Sequence, residues 1–178
     1  MADEIKDVTI TSFGLLLAYF LPGLIGLYGL SFWSESLRSS FKGFLTAESS
    51  VGLFVIVILF AAIVGLLAHG VRWIIFEVWF CRENLKLEAS DFEKLSAPGK
   101  MSAFRGAVDE IHRYHQWWGG VSVVGPIVFA GWASSGGHSK SAITFASIVF
   151  LAFEVLAIFA ALRVQEQYVH RVKMILKG

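Results

Sequence analysis

The sequence is poor in charge, cysteine and proline, and each shortage narrows the class of protein. Only 16% of its 178 residues are charged, whereas soluble globular domains carry roughly a quarter. A single cysteine, Cys81, excludes an intramolecular disulfide and any metal site built from several cysteines. Hydrophobic residues make up 56% of the chain. Together these values indicate a membrane protein.

Four apolar segments are long enough to cross a bilayer, which takes about 20 helical residues. The amino terminus MADEIKDV lacks the basic region of a signal peptide, so we expect the first segment to be retained. No strand-like alternation is present. The sequence therefore predicts an all-α polytopic protein, with residues 1–178 forming one four-helix transmembrane domain. The four segments run from about Thr9 to Leu30, Val51 to Phe80, Trp117 to Ala133 and Ser141 to Leu162.

The distribution of lysine and arginine predicts the orientation, because these residues favour the cytoplasmic side. Of the 15 lysines and arginines, three (Arg38, Lys42 and Lys140) fall on one side of a four-span arrangement and the other 12 on the opposite side. We therefore expect both termini to be cytoplasmic. The expected location is the bacterial inner membrane, with the lipid bilayer as a partner.

Helices are predicted to continue past the membrane on the cytoplasmic side. Phe104, Val108, Ile111 and His115 form one helical stripe before the third span, and Val164, Tyr168, Val172 and Ile175 form another after the fourth. Proline and glycine within residues 96–100 mark a turn. We therefore expect a cytoplasmic loop and helical extension over residues 82–116 and a cytoplasmic helix over residues 163–178.

Glu154 lies inside the fourth apolar segment. A charge within the hydrocarbon costs roughly 2.5 kcal/mol or more, so such a residue should face protein or water. Counting the helical rise places Glu154 about 20 Å and His69 about 27 Å below the outer boundary, with Arg72 slightly deeper. Helical side chains lean toward the amino terminus, which brings His69 and Arg72 toward Glu154. The sequence thus predicts a pore-lining or intramembrane polar group of Glu154, His69 and Arg72, in which Glu154 pairs with one of the other two. A structural tether between helices explains the same residues.

Two arginine–histidine pairs share a spacing of seven residues, namely Arg105 with His112 and Arg163 with His170. This spacing falls within the pattern of HEPN ribonucleases, whose sites form between two helical protomers. Gly106 replaces the polar residue that usually follows the arginine. Salt bridges between residues four apart, such as Arg105 with Asp109, explain the same pattern.

The segment DEIHRYHQWWGG leads into the third span. Asp109, His112, Arg113 and His115 would surround the cytoplasmic mouth of an oligomeric pore, as a gate or a partner surface. His112 and His115 could bind a metal together with Asp109, and a catalytic zinc site usually has three protein ligands. His115 falls on the apolar stripe, however, whereas Asp109 and His112 lie nearer the charged face, so no metal site and no cofactor are expected. Gly119, Gly120, Gly125 and Gly131 are expected to allow close helix packing.

The chain resembles small bacterial four-span inner-membrane proteins in FLPGLIGLYGLSF and HRYHQWWGG. Its plan of four spans with arginine–histidine pairs also resembles the membrane accessory protein of type VI-B CRISPR systems. That resemblance implies a multimeric membrane pore supporting anti-phage defence. It carries over Arg163 and His170, or Arg105 and His112, as HEPN-like positions.

The favoured function is a homo-oligomeric membrane pore, effector or accessory protein. The alternatives are a structural subunit of a membrane complex and a membrane-embedded HEPN-like ribonuclease; a small proton-coupled transporter is less favoured. The protein itself is the expected partner, and the basic cytoplasmic surface suits a cytoplasmic protein or RNA.

Overall fold

A computed structural model of the chain describes Gly14 and residues 16–46, 50–79, 89–95 and 99–177. Every regular element within these residues is helical, which confirms the all-α prediction. Three short π-helical turns adjoin the α-helices at Leu16–Phe20, Ile74–Trp79 and Val108–His112. The α-helices are α1 (Leu21–Leu30), α2 (Glu35–Leu45), α3 (Val51–Trp73), α4 (Ala89–Leu95), α5 (Lys100–Ala107), α6 (Arg113–Ser134) and α7 (Lys140–Lys177).

Two helices in the described ranges are long and apolar enough to cross a membrane: Val51–Trp79, which is α3 with its π turn, and α7. Only 22% and 11% of their most apolar stretches are buried, whereas the core helix of a soluble protein is mostly buried. The helix Ala18–Leu30 is apolar but shorter. α6 has 22 residues, but glycine, serine and tryptophan dilute its apolar character. Each predicted span thus contains a helix, and two of the four have the length and composition of a span.

α6 lies at the centre of the fold, with α1 and α3 on one side and α7 on the other. Small residues permit this position. A Cβ atom on Gly119 would overlap the side chain of Arg72, and one on Gly131 would overlap the carbonyl oxygen of Gly29. A Cβ on Gly120 would press on Pro22. The predicted role of the α6 glycines in close packing is therefore confirmed.

An apolar cluster of Leu95, Ala107, Tyr168, Val169 and Val172 lies beyond the amino-terminal end of α6, and we call it the distal cluster. Phe104, Val108, Ile111 and Ile175 pack against it, as the two predicted stripes require. Gly99, with φ of 86°, precedes α5 at the predicted turn, whereas residues 96–98 lie outside the described ranges. The predicted continuation of the second helix past Trp79, including Cys81, also lies outside them.

α2 is a helix that the sequence analysis did not predict. Leu37, Phe41 and Phe44 follow helical spacing and pack onto the cluster formed by Leu27, Val57 and Ala61. The hydroxyl of Ser34 accepts a hydrogen bond from the backbone N–H of Leu37 and caps the helix. α2 therefore lies across the ends of α1 and α3 that are remote from the distal cluster.

Candidate functional site

Arg72, near the end of α3, is only 1% exposed and makes three side-chain hydrogen bonds. Its Nη1 lies 2.7 Å from His115 Nε2, and its Nη2 donates to Glu77 Oε1 at 2.9 Å. Its Nε donates to His69 Nδ1 at 3.4 Å. Gly119 leaves the room that the Arg72 side chain fills. We call this group, together with His112 and Gln116, the Arg72 cluster.

The hydrogen bonds of His115 fix its protonation state. A guanidinium only donates hydrogen bonds, so His115 Nε2 must accept from Arg72 and carry no proton. The proton then lies on Nδ1, which donates to the carbonyl oxygen of Ala161 in α7 at 2.8 Å. His115 is fully buried. This neutral imidazole therefore connects α3, α6 and α7.

Gln116 extends the cluster to the π turns that precede α1 and α6. Its amide nitrogen donates to Tyr19 Oη at 3.3 Å and lies 3.2 Å from His112 Nε2. Because the amide nitrogen only donates, His112 Nε2 accepts. The His112 ring packs on the Tyr168 ring, with 4.8 Å between centroids. His112 Nδ1 is buried and has no hydrogen-bond partner within the described ranges.

The electrostatics of the cluster keep both of these histidines neutral. Burial, followed by the nearby His115, lowers the pKa of His112 to about 3. Burial, followed by the charge of Arg72, lowers the pKa of His115 to about 4. Arg72 and Glu77 form an ion pair at 2.9 Å. Arg72 is thus a paired cation, and a second cation, Arg113, lies beside the cluster and donates to Gln116 Oε1 at 3.4 Å.

Each π turn contributes a polar side chain to this region: Tyr19, Glu77 and His112. π turns are rare and are frequent at functional sites. They also explain why the sequence analysis missed Glu77. It follows Arg72 by five residues, whereas pairs on an α-helix are three or four apart. The π turn that begins at Ile74 brings residue 77 back within reach of Arg72. In the sequence, the signal for this ion pair was an acid, Glu77, five residues after Arg72.

Glu154 does not join this cluster. The predicted pairing with His69 or Arg72 is not formed, because both are bonded to each other and Arg72 also to Glu77 and His115. Glu154 is 9% exposed and its Oε1 fills the space beside Gly125 where a Cβ would lie. This oxygen is buried and has no hydrogen-bond partner in the part of the chain that the structure describes.

The HEPN-like candidates occupy different surroundings. Arg105 is exposed, whereas His112 is packed in the Arg72 cluster, so these two do not share one open face. The π turn between them breaks the two-turn spacing assumed from an α-helix. Arg163 and His170 are both exposed on α7. Arg163 forms a 3.0 Å ion pair with Glu166.

The residues predicted to surround a pore mouth are only partly on the surface. His115 is enclosed within the protomer and is therefore unavailable to line an opening between protomers, which corrects that expectation. His112 and Arg113 are half-buried. The backbone of Asp109 lies in the π turn, and its side chain lies outside the described part of the structure. Among the described residues no group of three or more His, Cys, Asp or Glu side chains could hold a metal ion.

The geometry favours a structural joint over a catalytic centre. Arg72 directs its donors to three acceptors, and its neighbours are neutral imidazoles, an amide and a phenol. None of the residues in the cluster is a serine, threonine or cysteine nucleophile. The cluster instead joins α1, α3, α6 and α7 next to the distal cluster. No protein-family model, curated protein or solved structure matches this chain.

Proposed function

We propose that the protein is a four-span membrane protein and the subunit of a homo-oligomeric assembly that acts as a pore or effector. The observation that supports this proposal is the large apolar surface of α3 and α7. Long stretches of both helices expose aliphatic and aromatic side chains, among them Leu59, Leu66, Ile148 and Leu156 at 57–65% exposure. Such a surface needs lipid or further copies of the chain to cover it.

The proposed orientation has both termini in the cytoplasm of a bacterial cell. Trp33, at one end of the helices, and Trp73 and Trp79, at the other, are half or more exposed. Tryptophans at both ends of a span are typical of membrane–water interfaces. The distal cluster and most basic residues then lie on the cytoplasmic side, where α5 and the end of α7 are open to a protein or RNA partner.

The surface chemistry also suggests how such a pore would be gated. The exposed faces of α3 and of α7 between residues 145 and 159 are overwhelmingly apolar. A passage lined by these faces would exclude water, as hydrophobic constrictions do in channels. The proposed resting state is therefore closed. Opening would require the helices to move relative to one another, and the Arg72 cluster is the joint through which a cytoplasmic partner would move them.

Reconstitution into liposomes tests the pore directly. We expect little ion flux across vesicles that contain the wild-type protein, because the proposed resting state is closed, and a larger flux when His115→Gln weakens the joint. His138→Gln, which alters a histidine in the turn between α6 and α7, is the matched control. Vesicles that stay sealed with the wild-type protein and with His115→Gln would contradict the pore.

A structural subunit is the second candidate, and the inward placement of the polar groups favours it. Arg72, His115 and Glu154 face other helices of the same protomer rather than a common outer face. A structural subunit predicts sealed vesicles but co-purification of the protein with a defined membrane complex.

The resemblance to type VI-B accessory proteins supports anti-phage defence as the setting. Phage challenge of cells with and without the gene tests that setting.

A ribonuclease is the third candidate, resting on Arg163 and His170. Both are exposed on one helix, so a second copy could complete a HEPN-like site. RNA cleavage that His170→Ala abolishes would support this activity, and RNA left intact by the wild-type oligomer would dismiss it.

A further inference from the structure

A groove lies between α1 and α7, with α6 as its floor. It forms because α7 packs along α6, whereas α1 and α3 lie on the opposite side of α6. The groove has a volume of about 380 Å³ and is open to the outside of the protein. Pockets that bind small organic ligands measure roughly 300 to 1,000 Å³. The groove is therefore large enough for a small-molecule ligand.

Aromatic rings form much of the wall of the groove. Phe129 of α6 and Phe150 of α7 stack with 4.5 Å between centroids and an angle of 6° between planes. Trp132 lies beside Phe129, with 6.1 Å between centroids, and Phe153 is the fourth aromatic residue. The other lining residues are aliphatic or glycine. Aromatic faces attract cations, most strongly where water is excluded.

A carboxyl group lies next to this aromatic wall. Glu154 follows Phe153, and its Oε1 fills the space beside Gly125, a residue that lines the groove. The Phe150 ring borders the same space. Within the described residues this buried oxygen has no hydrogen-bond partner. Burying a polar group without a partner costs free energy, so the position favours a ligand that supplies a positive charge or a donor.

We propose that the groove binds a lipophilic organic cation, with an ammonium or phosphonium centre on an apolar body. The aliphatic residues accept the apolar body, and the aromatic rings border the cation. Glu154 supplies the opposite charge by turning past Gly125, a residue without a side chain, beside the Phe150 ring. This site is additional to the proposed subunit role and does not depend on the oligomeric state.

Equilibrium dialysis of the purified full-length protein in detergent, with tetraphenylphosphonium as the probe, tests the site. We expect saturable binding above that of protein-free micelles, and at least tenfold weaker binding in Glu154→Gln and in Phe150→Ala. Glu166→Gln and Phe159→Ala are matched controls, because both alter exposed residues of α7 away from the groove. These two variants should bind as the wild type does.

A second comparison uses the wild-type protein alone and so does not rely on the folding of variants. Tetraphenylborate has nearly the same shape as tetraphenylphosphonium but the opposite charge, and the groove should bind the cation at least tenfold more tightly. Equal binding of the two ions would contradict the proposal, as would no saturable binding of the cation. If Glu154→Gln bound tetraphenylphosphonium as tightly as the wild type does, the site would not require the carboxylate, and the proposal would also be overturned. The groove would then suit an uncharged occupant such as a lipid acyl chain.

Discussion

At the scale of single residues, Arg72 organises the region where α3 meets α6. A buried guanidinium is strongly destabilising unless its charge is paired and its donors are satisfied. Here Glu77 supplies the charge, and neutral His69 and His115 supply further acceptors. Arg72, His69 and His115 were singled out from the sequence, but Arg72 pairs with Glu77 and not with the predicted Glu154. Glu154 is the conspicuous acid in the sequence, whereas Glu77 reaches Arg72 only because a π turn separates them.

Replacing Arg72 tests this arrangement. Arg72→Met keeps an apolar stem but removes three donors, leaving His115 Nε2 without its partner and Glu77 without its counter-charge. Breaking a fully buried pair costs about 3 kcal/mol or more, and the cost here is lower because the Glu77 side chain is 31% exposed. We expect a clear fall in the thermal unfolding midpoint of the detergent-solubilised protein. Arg105→Met, at an exposed position of α5, should leave the midpoint close to wild type; equal effects of the two variants would argue against the buried joint.

The two low histidine pKa values predict acid sensitivity. In the unfolded chain these imidazoles bind protons near their ordinary pKa of 6.5, whereas in the folded chain His115 does so only near 4 and His112 near 3. The unfolded state therefore binds more protons below pH 6.5, and stability falls as the pH drops. The shift of His115 alone corresponds to a loss on the order of 3 kcal/mol by pH 4. The groups facing it are Arg72, His69, Glu77 and His112.

Unfolding midpoints measured from pH 8 to pH 4 check this expectation. The wild-type midpoint should be flat above about pH 6.5 and fall below it. His115→Gln should be less stable at neutral pH but lose less stability between pH 6.5 and pH 4, because the shifted imidazole of His115 is gone. A midpoint that changes equally with pH in His115→Gln and in the wild type would contradict the low pKa of His115.

At the scale of helices, residue spacing predicted most of the packing. The α6 glycines and the stripe of Phe104, Val108 and Ile111 lie where their periodicity indicates. Spacing gave the wrong answer for the pair of Arg105 and His112. The π turn at Val108–His112 changes the helical period between them, so the two side chains lie in different surroundings. α2 was missed because its polar residues hid the spacing of Leu37, Phe41 and Phe44. The neighbour of Glu154 could not be predicted, because helix periodicity does not specify which helices pack together.

The contact between α1 and α3 gives a prediction with an internal control. A Cβ on Gly65 would overlap the backbone carbonyl of Tyr19, and backbone cannot rotate away as a side chain can. Gly65→Ala should therefore separate the two helices and destabilise the protein by about 1–3 kcal/mol, the usual cost of overpacking. Among the described residues, no atom from outside its own helical turn lies within 4 Å of the would-be Cβ of Gly70, five residues later on α3.

Gly70→Ala should consequently be neutral or slightly stabilising, since alanine favours the helix over glycine by roughly 1 kcal/mol. The two variants are compared by unfolding midpoint in the same detergent. If Gly65→Ala were as stable as Gly70→Ala, the close approach of α1 and α3 would be wrong.

At the scale of the whole molecule, the long apolar stretches of α3 and α7 place their charged side chains inside and expose many aliphatic ones. Arg72, His115 and Glu154 are inside, while Leu59 and Leu156 are outside. This distribution is the reverse of that in a soluble domain and was predictable from the low charge of the sequence. The oligomeric state was not predictable, because lipid and a second copy of the chain cover an apolar face equally well.

The mass of the detergent-solubilised protein, corrected for bound detergent and lipid, tests the central claim most directly. One chain has a mass of 19.7 kDa. The proposed homo-oligomer predicts one dominant species at an integral multiple of this mass, two or greater, that persists on dilution. A protein mass of 19.7 kDa at every concentration and in several mild detergents would contradict the homo-oligomeric assembly and with it the proposed pore.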